Sequence, residues 1–533
     1  MRRTLFGVFS VLVAAGCSGG GAGTIGQGPS GTAGPAPEGQ PTETPPASTE
    51  GVTLPKSVTS RLAQDLTVTE VALFQGVKAT LAKDGAKVAA GVPLVATRDA
   101  LVRAYVKPAA GYKARELKAV LSVVDGDDKP LKALTDTKTL KSASTDASLA
   151  STFNFRVPGD SLPLGAKFSV AITDEAADEV KDGVDSEARY PADGSLASFG
   201  LVSAGPSLRI VIVPVKYTAD GSGRLPDTSQ TQLDINRDAL WSQYPIPSVD
   251  ITVRSAPFTW SKPVKGNGTG WGELLQAMAD LREQDGADDD VYYWGAFSAA
   301  SSKQAFCGGG CVAGLSTLVS DPRNAYFRAS IGMGYGGADS AGTMVHEIGH
   351  AHGRSHAPCS DFGSIDGVDP SFPHQGGALG AWGYDLTKDK LISPSSAADF
   401  MGYCEPTWVS DYTYKGLFTR LATVNKGKPL APTITPGSNT GNGARGVRGA
   451  QFQFVTLGAD GPSAFGSVVT IKAPPSGEPR EVQLLDEVGK VLRTVRADYF
   501  PFDHLPGGSL LVPESGVAYH SLRVAGFSRT LSR

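Results

Sequence analysis

HEIGHAHGRSH, residues 346–356, contains four of the seven histidines in a chain of 533 residues. On an α-helix, His346 and His350 are four residues apart, so their rings project from nearly the same face and can bind one metal ion. Gly353 can adopt positive φ and end the helix, which turns the chain back so that His356 supplies a third imidazole. The stretch therefore predicts a helix that ends at a three-histidine metal site with one open position.

Glu347 distinguishes a catalytic zinc site from a structural one. A structural zinc site is normally closed by a fourth protein ligand and has no use for an adjacent carboxylate. Zinc held by three neutral imidazoles lowers the pKa of a bound water towards about 7, and a carboxylate beside it can take the proton. The sequence therefore predicts one catalytic Zn²⁺ per chain, with Glu347 as the general base and with the ligands His346, His350 and His356.

The other histidines are assigned no metal ligation. His352 lies six residues after His346, well round the helix from the zinc face, so it is predicted to be a surface histidine or a neighbour of the ligands. The remaining three have no metal partner at a recognisable spacing and are predicted to be structural or exposed: His374, His504 and His520.

The pattern HExxHxxGxxH of residues 346–356 resembles the long zinc signature of the metzincin metallopeptidases. Downstream, DFMGY at residues 399–403 resembles the Met-turn of that family. The resemblance implies that Met401 lies beneath the zinc histidines. It also implies that Tyr403 acts in catalysis, because in some metzincins a tyrosine at this position moves to the transition-state oxyanion.

Ala357 follows the third histidine where the well-known metzincin branches have Glu, Asp, Ser or Pro, so the chain departs from those branches. HAPC at residues 356–359 and WVSDY at residues 408–412 resemble exported bacterial metzincins related to mucin-degrading proteases. The resemblance implies a zinc endopeptidase that hydrolyses extracellular protein or glycoprotein.

The first 16 residues are typical of an export signal, with Arg2 and Arg3 before an apolar run over 5–13 that is too short to span a bilayer. The small residues before Cys17 resemble the bacterial lipobox, which implies cleavage there and a lipid anchor on the cysteine sulfur. Ser18 stands where Asp would favour inner-membrane retention, so the resemblance implies an exported lipoprotein at the outer membrane or cell surface. An ordinary signal peptide with a coincidental cysteine is the alternative.

Composition divides the rest of the chain into four segments. Residues 17–57 are rich in Gly, Pro, Ser and Thr and cannot bury a core, so they are predicted to be a disordered tether. Short apolar runs separated by turns predict an N-terminal β-sandwich domain over 58–205. Alternating strand and helix patterns predict a metzincin-like mixed α/β catalytic domain over 206–424, and new strand patterns predict a C-terminal β-sandwich-like domain over 425–533. The fold class is α+β with several domains.

Within the catalytic segment, hydrophobic periodicity predicts individual elements. The strands are predicted at 208–215, 249–253 and 291–294, with an edge strand within 311–319, and the helices at 228–241, 272–283 and 340–351.

Four cysteines besides Cys17 suggest two disulfides in an exported chain. Three connectivities are possible. We favour Cys307 with Cys311, because the three glycines between them can fold sharply, and Cys359 with Cys404. A four-cysteine zinc site is the alternative, although the usual paired short spacings are missing.

Charge and motifs narrow the functional classes. The net charge of −4 and the lack of a dense Lys/Arg cluster exclude nucleic acid as a partner, and no pattern specifies an oligomeric state. Acidic clusters at 125–128 and 288–290 lack the full ligand spacing of a calcium loop and are predicted to be turns.

The alternatives to a peptidase are a surface-binding lipoprotein with an incidental zinc domain and a hydrolase of non-peptide amides or esters. Glu347 and the Met-turn favour the peptidase.

Overall fold

A computed structural model describes residues 61–177, 186–308, 310–361, 366–428, 449–458, 463–471, 475 and 477–533. The predicted signal peptide, the tether and the lipidated Cys17 lie outside these residues. Among the helices that are described, none combines the length and the apolar composition needed to cross a membrane.

Strands dominate the first part of the chain, where β-branched and other apolar residues alternate with polar ones. The described strands are β1 (Leu66–Phe74), β2 (Gly76–Lys83), β3 (Ala86–Lys87), β4 (Ala100–Pro108), β5 (Arg115–Val124), β6 (Pro130–Leu140), β7 (Phe153–Val157), β8 (Lys167–Thr173), β9 (Arg189–Tyr190) and β10 (Ala197–Ser198).

Helices and strands alternate in the middle part, as the periodicity predicts. The elements are β11 (Leu208–Tyr217), α1 (Gln230–Gln243), β12 (Val249–Val253), β13 (Phe258–Trp260), α2 (Trp271–Gln284), β14 (Val291–Phe297), α3 (Lys303–Cys307), β15 (Gly314–Ser316), β16 (Ala329–Met333), α4 (Gly337–Ala351), β17 (Gly383–Asp385), β18 (Lys390–Ile392), β19 (Ala398–Asp399), β20 (Thr407–Trp408) and α5 (Asp411–Val424). Each strand and helix predicted here is present, and the predicted edge strand is the short β15.

The last part of the chain is again made of strands. They are β21 (Ala450–Gly458), β22 (Ala464–Ile471), β23 (Glu478–Leu485), β24 (Val491–Pro501), β25 (Gly507–Pro513), β26 (Ser521–Val524) and β27 (Thr530–Ser532).

Two sheets form the N-terminal sandwich. One has the order β18-β17-β2-β1-β4-β7, with β3 paired to β2, and the other has the order β10-β8-β5-β6, with β9 paired to β8. Buried side chains of both sheets form one core, among them Leu73 and Val102 from the first sheet and Leu121 and Phe168 from the second. The first sheet also contains β17 and β18, which follow α4 in the chain and lie outside the predicted bounds of 58–205.

A mixed sheet of order β12-β11-β14-β16-β15, with β13 paired to β11, organises the middle part of the chain. Its strands are parallel except for β15, which pairs antiparallel with β16 at the edge. Every residue of β14 is buried, as expected for a strand covered on both faces. Tyr292 and Trp294 belong to the core that contains α1 and α4, whereas Tyr293 belongs to the core that contains α2. The sheet therefore separates α4 from α2.

The C-terminal strands form one antiparallel sheet of order β22-β21-β25-β24-β23-β26-β27. Within the described residues this is a single sheet, where two packed sheets are predicted. One face carries its own core, which includes Val455, Leu510 and Leu522. On the other face, Phe454 and Leu511 join the core of helix α2. This packing brings the connection between β24 and β25 next to β15.

Candidate metal centre

Helix α4 and the turn after it bring three histidines together. His346 and His350 lie in the last turns of α4 and are buried. The helix ends at Ala351, and Gly353 follows with φ +77°. A side chain at Gly353 would also collide with Arg420, so the turn requires glycine. The chain then returns, and His356, which is 1% exposed, completes the cluster.

Each of the three imidazoles has its Nδ1 fixed by a backbone carbonyl: His346 by Phe400 at 2.7 Å, His350 by Arg354 at 2.6 Å and His356 by Asp366 at 2.6 Å. A carbonyl oxygen can only accept, so each Nδ1 carries the hydrogen and each Nε2 keeps a free lone pair. Hydrogen bonds of this kind orient metal-binding histidines and raise their basicity.

The three Nε2 atoms converge on one point. His350 Nε2 lies 3.0 Å from His346 Nε2 and 3.1 Å from His356 Nε2. None of these nitrogens carries a hydrogen, so the three Nε2 atoms cannot form hydrogen bonds with one another and their lone pairs repel. A cation bound between them would remove this repulsion. Burial lowers the pKa of all three rings, that of His356 to about 3. The rings are therefore in the neutral form that binds a metal, and three neutral imidazoles are a donor set suited to zinc.

Glu347 lies beside this cluster, 1% exposed. Its Oε1 forms a hydrogen bond with His504 Nε2 at 2.9 Å, and its Oε2 has no hydrogen-bond partner among the residues that the structure describes. Burial raises the pKa of Glu347 to about 8. The carboxyl group packs directly against Gly314 of β15, where a side chain would collide with it. A buried carboxyl oxygen without a partner next to three converging imidazoles suits proton exchange with a water molecule.

Met401 packs against α4. It is fully buried, and a side chain at Gly349 of α4 would collide with its sulfur. The buried Asp399 holds the turn: its Oδ1 accepts from the backbone N–H of Met401 at 2.8 Å and its Oδ2 from that of Ser410 at 2.9 Å. The same turn presents the Phe400 carbonyl to His346.

Tyr403 points its hydroxyl into the histidine cluster. Its Oη lies 2.9 Å from His356 Nε2 and also forms a hydrogen bond with His504 Nδ1. Burial raises the pKa of Tyr403 well above its usual value, so the phenol is protonated. Its backbone N–H donates to the Cys359 carbonyl at 2.7 Å. A disulfide joins Cys359 to Cys404, which fixes this segment.

Both favoured disulfides are present, since Cys307 is bonded to Cys311 and Cys359 to Cys404. The pairs use all four cysteines outside the signal segment, which removes the alternative of a four-cysteine zinc site.

Asp503 and His504 join the metal centre from the C-terminal sheet. The side-chain nitrogens of His504 and of the three helix-and-turn histidines lie within 4.8 Å of one another, as do the ligand atoms of Glu347, His350, Asp503 and His504. The sequence predicts His504 to be structural or exposed, whereas the structure groups it with the candidate metal ligands. It is 157 residues from Glu347 in the chain, so no local spacing could indicate the contact. The only sequence signal is an Asp-His pair between two strands.

The other histidines lie away from the cluster. Of the two alternatives predicted for His352, a surface histidine or a neighbour of the ligands, the first is wrong: His352 is 2% exposed and stacks on Tyr292 with 4.4 Å between ring centroids. His374 binds Asp411 at 2.6 Å, and His520 is exposed.

Comparison with protein families gives one match. Residues 316–412 match the model of Peptidase M66, a zinc metallopeptidase family. The match extends from the last residue of β15 to the beginning of α5 and contains the three histidines, Glu347 and the turn around Met401. It indicates a metallopeptidase, which implies a protein substrate. No curated protein matches the chain.

Solved structures give only low similarity. A calcium-binding mutant of β-glucuronidase 2 from Bacteroides uniformis is 11% identical, with a TM-score of 0.12 over 39% of this chain and 22% of that chain. A β-glucuronidase from Parabacteroides merdae is 10% identical, with a TM-score of 0.15 over 44% and 29%. A putative β-galactosidase from Bacteroides fragilis is 9% identical, with a TM-score of 0.13 over 44% and 38%. The chain therefore spans less than two thirds of each of these proteins.

Proposed function

We propose that this chain is a zinc-dependent endopeptidase of the metzincin type that hydrolyses extracellular protein or glycoprotein. The observation that carries the proposal is the convergence of three Nε2 lone pairs beside the carboxyl group of Glu347. Met401 beneath the helix and the match to Peptidase M66 support it.

Zinc bound by His346, His350 and His356 would supply a Lewis acid and lower the pKa of a water at its open position. Glu347 takes the proton from the attacking water and returns it to the leaving nitrogen. Tyr403 donates its phenolic hydrogen bond to the oxygen of the scissile carbonyl as negative charge develops there. Glu347 therefore transfers the proton, and Tyr403 stabilises the negative charge.

The edge strand β15 orients the substrate in this proposal. Its inner edge pairs with β16, and its outer edge is the end of the catalytic sheet. An extended peptide can add to such an edge through backbone hydrogen bonds. Gly314 packs against Glu347, so a peptide paired with β15 passes beside the general base.

Location forms part of the proposal. The lipobox-like end of the predicted signal and the predicted tether before residue 58 support a location outside the cytoplasm, with a lipid anchor on Cys17 at the outer membrane or cell surface. A proteolytic enzyme at that position meets extracellular proteins and glycoproteins.

The test uses the zinc-loaded mature chain and a mixture of extracellular glycoproteins, with new termini identified by sequencing. Glu347→Gln should keep zinc and melting temperature and lose about 10²–10⁴ in kcat/KM, because Gln cannot accept the proton. His350→Ala should lose both metal and activity. Removal of zinc with a chelator should abolish cleavage, and added zinc should restore it. If Glu347→Gln cleaves at the wild-type rate with zinc bound, the assignment of the base fails.

A further inference from the structure

The connection between β24 and β25, residues 502–506, pairs with the edge strand of the catalytic sheet. Phe502 forms an antiparallel bridge with Thr317, the second residue after Leu315 of β15. The carboxylate of Asp503 accepts from the backbone N–H of Ser316, with its two oxygens at 3.2 and 3.3 Å. The 502–506 loop therefore uses the backbone edge that an extended peptide would need.

Two apolar side chains anchor the loop on the catalytic domain. Phe502 packs against Gly272 of α2, where an added Cβ would come within 2.8 Å of the ring. Leu505 packs against Gly268, which has φ +92°, and a side chain there would collide with it. Both contacts belong to the core around α2. Phe502 and Leu505 occupy space that is free only because Gly272 and Gly268 have no side chains.

The polar residues of the loop contact the groups that hydrolysis would use. His504 bonds Glu347 Oε1 through Nε2 at 2.9 Å and Tyr403 Oη through Nδ1. Asp503 Oδ2 lies 3.4 Å from His350 Nε2. With the loop in this position, the side chain of Glu347 is 2% exposed and that of His350 is 1% exposed. A polypeptide cannot reach either side chain past this loop.

We propose that the 502–506 loop keeps the enzyme latent by covering the β15 edge and by inserting His504 among the metal-binding histidines. The proposal rests on the peptidase function proposed above. Substrate cleavage then requires the loop to withdraw, which frees the β15 edge, Glu347 and Tyr403 together. The covering segment comes from the C-terminal end of the chain, so the C-terminal sheet has a regulatory task in addition to its packing role.

The decisive measurement is how tightly a small ligand binds to the metal, because this readout does not require the protein to cleave a substrate. The full mature chain is loaded with Co²⁺, and acetohydroxamate, a small metal ligand, is titrated while the visible spectrum is recorded. His504→Ala removes the inserted imidazole. The double variant Phe502→Ser/Leu505→Ser loosens both anchors and leaves every metal-binding side chain in place. Each should bind acetohydroxamate about tenfold more tightly than wild type, because more of the population is open.

His520→Ala is the matched control, since His520 is an exposed histidine directly before β26 of the C-terminal sheet. It should bind acetohydroxamate as wild type does. Circular dichroism establishes that each variant is folded before the titration.

Peptide cleavage by the zinc-loaded proteins gives the second readout. Both variants should cleave about tenfold faster than wild type and His520→Ala. Wild-type hydroxamate affinity in both variants would overturn the proposal. So would a loss of cleavage in His504→Ala with zinc bound, because His504 would then assist the reaction. If both variants bind acetohydroxamate more tightly but neither they nor the wild type cleave any peptide, the loop closes the site as proposed and the peptidase proposal fails.

Discussion

At the scale of single residues, Tyr403 has two hydrogen-bond partners, His356 and His504, which belong to different parts of the chain. A simple Tyr403→Phe change would remove a proposed oxyanion donor and also loosen the 502–506 loop. The two effects act on the rate in opposite directions. They can be separated only when His504 is absent.

Tyr403→Phe is therefore best measured in the His504→Ala background. We expect kcat to fall by about 10²–10³ relative to His504→Ala alone, since one donor to the developing oxyanion is lost. Zinc content and melting temperature should not change. Equal kcat values for the single and the double variant would exclude Tyr403 from the reaction.

Asp399 shows how one buried carboxylate orders a metal site that it does not touch. An Asn side chain has one oxygen and one NH₂ group, so it can accept from only one of the backbone N–H groups of Met401 and Ser410. The other N–H would point at the NH₂ group and lose its hydrogen bond. Asp399→Asn should lower the free energy of unfolding by about 1–3 kcal/mol. Zinc affinity should fall about 10–100-fold, because the Phe400 carbonyl that orients His346 lies in the same turn. Urea unfolding and a zinc-chelator competition measure the two effects.

Asp128→Asn is the control for that change. Asp128 is 58% exposed and pairs with Lys167 on the N-terminal sandwich, so the free energy of unfolding should change by less than about 0.5 kcal/mol. A wild-type zinc affinity in Asp399→Asn would contradict the orienting role of the turn.

At the scale of elements, the two disulfides close loops of very different length. Cys359 and Cys404 are 45 residues apart and Cys307 and Cys311 only four. Loop-entropy reasoning gives a loss of about 4 kcal/mol for the double Ser variant of the first pair and about 2 kcal/mol for that of the second. Chemical denaturation measures both. A larger loss for the short pair would show that lost packing outweighs loop entropy.

The sequence predicts the elements of the catalytic segment because their signals are local. His346, His350 and Gly353 lie on one helix and its turn, and each Nδ1 partner is a backbone carbonyl nearby or in the Met-turn. Periodicity also identifies β11 and β14 as buried strands. It cannot reveal that His504 meets Glu347, because that contact depends on how Phe454 and Leu511 pack the C-terminal sheet against α2.

At the scale of the whole molecule, Asp290 connects three distant parts of the chain. It binds Arg209 at the start of β11 at 3.1 Å, and it binds Lys428, which follows α5. Burial alone would raise the pKa of Asp290, but Lys428 and Arg209 outweigh it, so its pKa is lowered. A carboxyl group whose pKa is lower in the folded state stabilises the fold above its unfolded pKa of about 3.9, and this stabilisation is lost as pH falls through the folded value.

Asp290→Asn should therefore destabilise the protein at pH 7 by about 1–2 kcal/mol, a modest figure because both cationic partners are partly exposed. The difference from wild type should stay constant down to about pH 5 and shrink below about pH 4, as the wild-type carboxyl gains a proton. Urea unfolding at several pH values measures it. If the difference in unfolding free energy between Asp290→Asn and wild type grows in acid, the pKa of Asp290 is raised in the folded protein and not lowered.

The pairing of β17 with β2 ties the first sheet to a much later part of the chain. Gly383 pairs with Val77 and Tyr384 with Gly76, while Trp408 donates its indole N–H to the Gly76 carbonyl at 2.8 Å. On a growing chain, β3 pairs only with Ala82 and Lys83 of β2, so the edge at Gly76 and Val77 has no partner until the segment beyond α4 has been synthesised. Contacts between such distant segments form slowly, and an unpaired edge invites association with other chains in the meantime. The N-terminal sandwich is consequently completed only after α4 has been synthesised, and a chain that stops before residue 383 leaves β2 with an open edge.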